Sequence, residues 1–166
     1  MRVMGIDPGL GTTGFAVVER GPERPRVLAA GAIKTSAGED HAPRLATLRR
    51  ELAALMQSHD PDVVAVERLF FNANVKTAMS VGQAAGVALA TAAELGLAVA
   101  HYTPTEVKLT VAGIGSAPKH QVQAMVARLL GLARAPAPAD AADACALALC
   151  HLARERLETA VARATR

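Results

Sequence analysis

The sequence predicts one α/β domain, with a five-stranded mixed sheet flanked by helices. Three observations lead there. Three extended apolar runs follow one another at the N-terminus, separated by short glycine- and proline-marked turns. Helical and extended stretches then alternate to the end of the chain. The helical stretches carry apolar residues at three- and four-residue steps, the period of one buried helix face.

Residues 2–7, about 13–20 and 26–34 read as the three strands. Gly9, Gly11 and Gly14 are expected to shape the first turn, and Gly21, Pro22 and Pro25 the second. Connections this short favour an antiparallel meander. From Asp40 to Ser58, Leu45, Leu48, Leu52 and Leu55 form one helical stripe, which Asp60-Pro61-Asp62 ends. Val63-Val64-Ala65-Val66 is a buried strand ending in Glu67. Val75 to Gly96 reads as a long helix, and Leu97 to Tyr102 as the fifth strand. Thr105 to Val111 forms a short helix carrying Lys108. Residues 119–130 form another, entered through Pro118 and closed by Gly131. After Ala135-Pro136-Ala137-Pro138 the last helix runs from Asp140 to about residue 157. The domain is therefore expected to span 1–157, with 158–166 as a flexible tail.

Composition narrows the class. Of the 166 residues 51% are hydrophobic and only 2% aromatic, so the core is built from Ala, Val and Leu. The net charge of +3 favours an anionic partner weakly. Cys145 and Cys150 lie on one helix with no zinc-ligand spacing and read as small buried apolar residues. The apolar stretch from Val81 to Val99 is interrupted by Gln83 and Glu94 and is not a membrane span. A cytoplasmic protein, away from membranes, is expected.

Four carboxylates stand out. Asp7 and Glu67 end strands, and two parallel neighbours would bring them side by side. A carboxylate at the end of a buried strand needs a partner or a metal, unless it bonds its own turn. Asp140 and Asp143 lie three apart on one face of the first turn of the last helix. That pair also fits a capping box, with Asp140 as N-cap and Asp143 reaching back. Four clustered acids repel, and divalent cations resolve the conflict. The donors are all oxygen, so the expected ions are Mg²⁺ or Mn²⁺, two per site, clamping a phosphodiester. Lys119 stands at a helix start that could face a phosphate. A basic chain with an acidic metal site fits a nuclease, and this element order is that of an RNase H-like fold.

Other features are open to two readings. Phe70 and Phe71 sit in a polar loop, and either ring could plug the core or stack on an unpaired base. Ala78, Gly82, Gly86 and Ala90 make a small-residue stripe at four-residue steps. The stripe suits packing on the sheet or a symmetric helix contact between two subunits.

Five motifs in register resemble the RuvC family of Holliday-junction resolvases. They are Gly5-Ile-Asp-Pro-Gly9, Val66-Glu67 with Phe70, Glu106-Val-Lys108, Gly113-Ile-Gly-Ser-Ala117 with Lys119, and Ala139-Asp-Ala-Ala-Asp-Ala144. Together they cover roughly residues 1–155. The resemblance implies an endonuclease, a homodimer that nicks two strands of a four-way DNA junction symmetrically. The ends left would be 5′-phosphate and 3′-hydroxyl, and short T-rich sequences would be preferred. It implies that Asp7, Glu67, Asp140 and Asp143 are the metal-binding carboxylates. Phe70 would stack at the opened crossover, and Lys108 and Lys119 would stand near the scissile phosphate. The helix from Val75 to Gly96 would be the dimer helix, and the RuvA–RuvB branch-migration motor a partner. Some members of the family have His at the position of Asp140.

Three rival readings are weaker. Gly5-Ile-Asp7-Pro-Gly9 with Gly11-Thr-Thr-Gly14 also resembles the phosphate loop of actin-like and sugar-kinase folds. Those enclose a nucleotide between two domains, where this chain supplies one, and they leave Lys108, Lys119 and the late acidic pair without a role. A noncatalytic junction-binding scaffold has no use for the carboxylates. An RNase H-like nuclease with another substrate shares the same motifs.

Overall fold

A computed structural model describes residues 1–68 and 75–165. Its elements follow the predicted order. Strands β1 (Arg2–Asp7), β2 (Thr12–Glu19) and β3 (Arg26–Lys34) precede helix α1 (His41–His59). Then come β4 (Val63–Glu67), α2 (Val75–Glu94), β5 (Ala98–Tyr102), α3 (Pro104–Ala112), α4 (Lys119–Leu130) and α5 (Ala139–Ala164). The sheet order is β3-β2-β1-β4-β5. The first three strands are antiparallel, and β4 and β5 lie parallel to β1. This is the expected mixed sheet.

Strand alternation divides the core between the two faces. Met4, Ile6, Val17, Val64 and Val66 point to one face, where Leu48, Leu52 and Met56 of α1 and Ala84, Ala88 and Ala92 of α2 cover them. Val3, Ala16, Val18 and Ala65 point to the other, under α3, α4 and α5. The buried face of α5 includes Ala141, Ala144, Cys145 and Ala148. Both cysteines are free and buried, and burial pushes the Cys145 thiol up to about 12.

Two glycines let α5 lie on the strands. A Cβ on Gly5 would stand 2.0 Å from the Ala144 carbonyl oxygen. On Gly14 it would stand 2.1 Å from the Asp140 carbonyl oxygen. Gly14 therefore does not shape the first turn, as the sequence suggested. It lies within β2, opposite Asp7, and its missing side chain is the space that α5 occupies. Gly9 is a true turn residue, and its amide and carbonyl both bond the Thr13 hydroxyl.

Helix α4 spans the predicted residues, with Pro118 as its cap and Lys119 as its first helical residue. Two details of α5 differ from expectation. Pro138 caps α5, and among the described residues no side chain caps it; Asp140 is the second helical residue, and the capping-box reading of Asp140 and Asp143 does not hold. The helix also continues past residue 157 to Ala164. Glu158, Ala160, Ala162, Arg163 and Ala164 in that extension are good helix formers, and Arg20 pairs with Glu155 near its base.

Replacing Gly14 by Ala is expected to destabilise the protein by about 1–3 kcal/mol, because the new methyl meets helix backbone that can retreat only by shifting α5. Urea titration of Gly14→Ala against wild type measures this. An unchanged midpoint would show that the helix moves freely.

Candidate active site

Alternation along the strands decides where the acids point. Val3, Gly5 and Asp7 share one face of β1; Val63, Ala65 and Glu67 share one face of β4. Ile6 pairs with Val66, so Asp7 and Glu67 follow at adjacent strand ends on the α5 face. The close seat of α5 on Gly14 brings Asp140 and Asp143 to the same edge. Asp7, Glu67 and Asp143 line a pocket of about 220 Å³, together with Lys108, Lys119, Pro104, Val107 and Val122. Asp140 is not in the lining, but it is near enough to act on Asp7 through its charge.

The electrostatics are those of crowded acids. Burial, then Glu67, Asp143 and Asp140 push the Asp7 carboxyl from its ordinary 3.8 up to about 7, and Lys119 opposes them. Burial and then Asp143 raise Glu67, while Lys108 and Lys119 pull it back. The Lys119 ammonium donates to Asp143 Oδ2 at 2.6 Å, which raises the lysine. That contact is solvent-accessible and contributes little to stability.

Lys108 is placed by a local device. The Thr103 hydroxyl accepts from the Glu106 amide, and Glu106 accepts from the Thr103 amide, a complete capping box at the start of α3. Arg154 of α5 donates to Glu106 at 2.9 Å. The Thr103 amide, then its hydroxyl and Arg154 hold the Glu106 carboxyl down at about 2. So α3 is tied to α5, and Lys108 is carried into the pocket. The sequence reading missed Thr103 and Arg154. The T-x-x-E spacing at Thr103 was the available signal for the cap. Nothing local marked Arg154 or the role of Gly14.

The donor set fits a hard divalent cation: among the described lining residues the acidic donors are carboxylate oxygens, mutually repelling, with no thiolate or imidazole. Among the described residues no three His, Cys, Asp or Glu side chains are grouped to hold a metal ion in this arrangement. Asp143 is turned onto Lys119 instead. Phe70 and Phe71 lie outside the described residues. The small-residue stripe faces away from the sheet. Gly86 and Ala90 are exposed, Ala78 and Gly82 half-buried, and among the described residues a Cβ on Gly82 or Gly86 would meet nothing within 4 Å. The sheet-packing reading of that stripe is therefore overturned; Ala84, Ala88 and Ala92 do the packing.

Acids at the carboxyl edge of this mixed sheet, flanked by lysines, define a nuclease of the RNase H-like class. The comparisons with known proteins give the family. The profile of crossover junction endodeoxyribonuclease RuvC matches residues 3–151. The enzyme of that name from Moorella thermoacetica is 52% identical over 151 residues, 91% of this chain and 90% of that one. A Thermus thermophilus RuvC structure superposes with a TM-score of 0.87 at 38% identity, covering 96% of this chain and 98% of that one. A second T. thermophilus RuvC structure, in complex with Holliday junction substrate, gives 0.87 at 35% identity over 95% and 96% of the two chains. The chain belongs to the RuvC family of crossover junction endodeoxyribonucleases.

The raised Asp7 sets a pH dependence with a definite sign. Its carboxyl binds its proton more tightly folded than unfolded, so its contribution to stability is full below pH 3.8 and is lost as pH rises through about 7. Asp7→Asn is therefore expected to stabilise the metal-free protein at pH 7.5, by up to about 4 kcal/mol. Denaturant titrations in chelator at pH 5 and 7.5 measure it. A variant less stable than wild type at pH 7.5 would contradict the crowded-acid picture.

Proposed function

We propose that this chain binds four-way DNA junctions and resolves them by paired, symmetric nicking. The observation that carries this is the single pocket that Asp7, Glu67, Asp143, Lys108 and Lys119 share at one sheet edge. Membership of a nuclease family implies dependence on a divalent metal ion. Asp7, Glu67, Asp143 and Asp140 are the residues to hold it, as two Mg²⁺ or Mn²⁺ ions per site. Bound there, hard cations supply activation of the attacking water and stabilisation of the leaving oxygen.

The chain's own residues do the rest. Lys108, beside Glu67, holds the strand backbone across the pocket. Lys119 offsets part of the repulsion among the acids in the free protein. Once their charge is neutralised, its ammonium turns to the scissile phosphate. Phe70 stacks on a base at the opened crossover.

A junction has approximate two-fold symmetry, so an isologous dimer presents one site to each of two like strands. The open stripe of Ala78, Gly82, Gly86 and Ala90 supports a dimer through α2. A hollow of about 410 Å³ lined by Gly82, Gly86, Leu89, Val66 and Glu67 continues that face toward the site. The RuvA–RuvB branch-migration motor is the proposed partner, and the cytoplasm the proposed compartment. Among the described residues no helix is long and apolar enough to cross a membrane.

Cleavage of a synthetic mobile junction, beside duplex and RNA/DNA hybrid controls, tests the activity. Paired, metal-dependent nicks on the junction are expected with wild type. Asp7→Asn should give none while binding the junction as tightly or tighter. Cleavage of the hybrid alone would move the substrate, and loss of binding by Asp7→Asn would contradict the metal-site role. Phe70→Ala should lower cleavage more than affinity, and a junction with a pre-opened crossover should restore it; no rescue would count against stacking. Gly82→Leu should weaken the dimer about tenfold or more, since a buried interface tolerates overpacking poorly. Sedimentation at low concentration reads this, and an unchanged profile would exclude the stripe as the interface.

A further inference from the structure

The catalytic edge carries one more positioned cation, on the side of Asp7 away from Lys108 and Lys119. Thr35 follows β3 and closes the turn between β1 and β2. Its amide donates to the Gly11 carbonyl at 3.2 Å and its hydroxyl to the Leu10 carbonyl. The same hydroxyl accepts from Arg44 Nε at 3.0 Å. Arg44 belongs to the first turn of α1, and its guanidinium lies across the turn, with Nη2 3.8 Å from where a Cβ on Gly11 would stand. Among the described residues no carboxylate pairs with Arg44, although seven other ion pairs form. One edge of the guanidinium is thus fixed by Thr35, and the Nη amines keep their donors for another acceptor. Gly11 is exposed, so that acceptor has access.

The position matters as much as the geometry. The turn begins right after Asp7. In the sheet order, Glu67 of β4 lies on one side of Asp7 and β2 on the other. Lys108 and Lys119 come from α3 and α4, which pack with α5 on the face of the sheet opposite α1; Arg44 comes from α1 and stands at the β2–β3 side. Lys34, exposed at the end of β3 opposite Thr12, adds positive charge there. A DNA strand that crosses the sheet edge from Asp7 toward β2 would meet this turn. A planar fork held by one hydrogen bond suits a phosphate oxygen pair better than a free lysine does.

We propose that Arg44 binds a backbone phosphate of the cleaved DNA strand, on the side of the scissile phosphate opposite Lys108 and Lys119, and that Thr35 is its positioning residue. The inference rests on the reading of the chain as a junction nuclease.

Binding of a synthetic four-way junction in chelator, titrated over a range of KCl, tests it apart from cleavage. Each phosphate contact contributes about 0.9 to the slope of log K against log salt. Arg44→Gln is expected to reduce that slope by about 0.9 and to weaken binding about tenfold at low salt. Arg44→Lys should keep the slope and lose part of the affinity. Thr35→Val should weaken binding and Thr35→Ser should restore it. The double variant Arg44→Gln/Thr35→Val should bind as Arg44→Gln does, because Thr35 acts through Arg44. A wild-type slope in Arg44→Gln would overturn the proposal, as would additive losses in the double variant for the role of Thr35. Wild type failing to bind any junction would overturn the functional reading and this inference with it. Normal wild-type binding with an unchanged Arg44→Gln slope would sink the inference alone.

Discussion

Everything at the site depends on how closely α5 approaches the sheet. At Gly5 and Gly14 the helix backbone occupies space that a methyl group would fill. This contact sets the height of Asp140 and Asp143 above β1 and β2. A helix seated on larger side chains would stand further off, and its acids would leave the edge where Asp7 and Glu67 end. The low aromatic content and the abundance of alanine follow from the same constraint, because α5 meets the strands through Ala141, Ala144 and Ala148. The core and the site are one packing problem here.

The site then carries an electrostatic strain that the fold does not relieve on its own. Asp7 is half-buried among other acids and holds its proton up to about pH 7. Lys119 offsets part of the repulsion through Asp143, and Lys108 offsets part of it at Glu67. Such an arrangement destabilises the free protein at neutral pH and favours any hard cation that enters. The same lysines line the pocket together with the acids.

The supports around the pocket are local and redundant. The capping box at Thr103 and Glu106 fixes the start of α3, and Arg154 ties it to α5. On the other flank, Thr35 ties the turn after Asp7 to the end of β3 and to Arg44 of α1. Each side of the edge is held by hydrogen bonds between elements far apart in sequence. The active edge is therefore braced from α3 and α5 on one flank and from β3 and α1 on the other. On the outward face of α2, by contrast, nothing among the described residues lies within 4 Å of a Cβ added at Gly82 or Gly86.

The sequence by itself determined the order and type of every element, because apolar period and turn chemistry are local properties of the chain. It also marked Asp7 and Glu67, since a carboxylate at the end of a buried apolar run is conspicuous, and parallel pairing of their strands follows from the helical crossover. It could not decide between a cap and a site for Asp140 and Asp143. That depended on where the helix starts, and Pro138 took the cap position. It placed Gly14 in a turn, because the reason for that glycine lies more than a hundred residues away, in the backbone of α5. It left the α2 stripe between two faces, and only the assembled sheet showed which alanines turn inward. Long-range contact decided these points. A helix end, a missing methyl and an outward stripe look alike in sequence whatever stands against them, and tertiary structure alone supplies the neighbour.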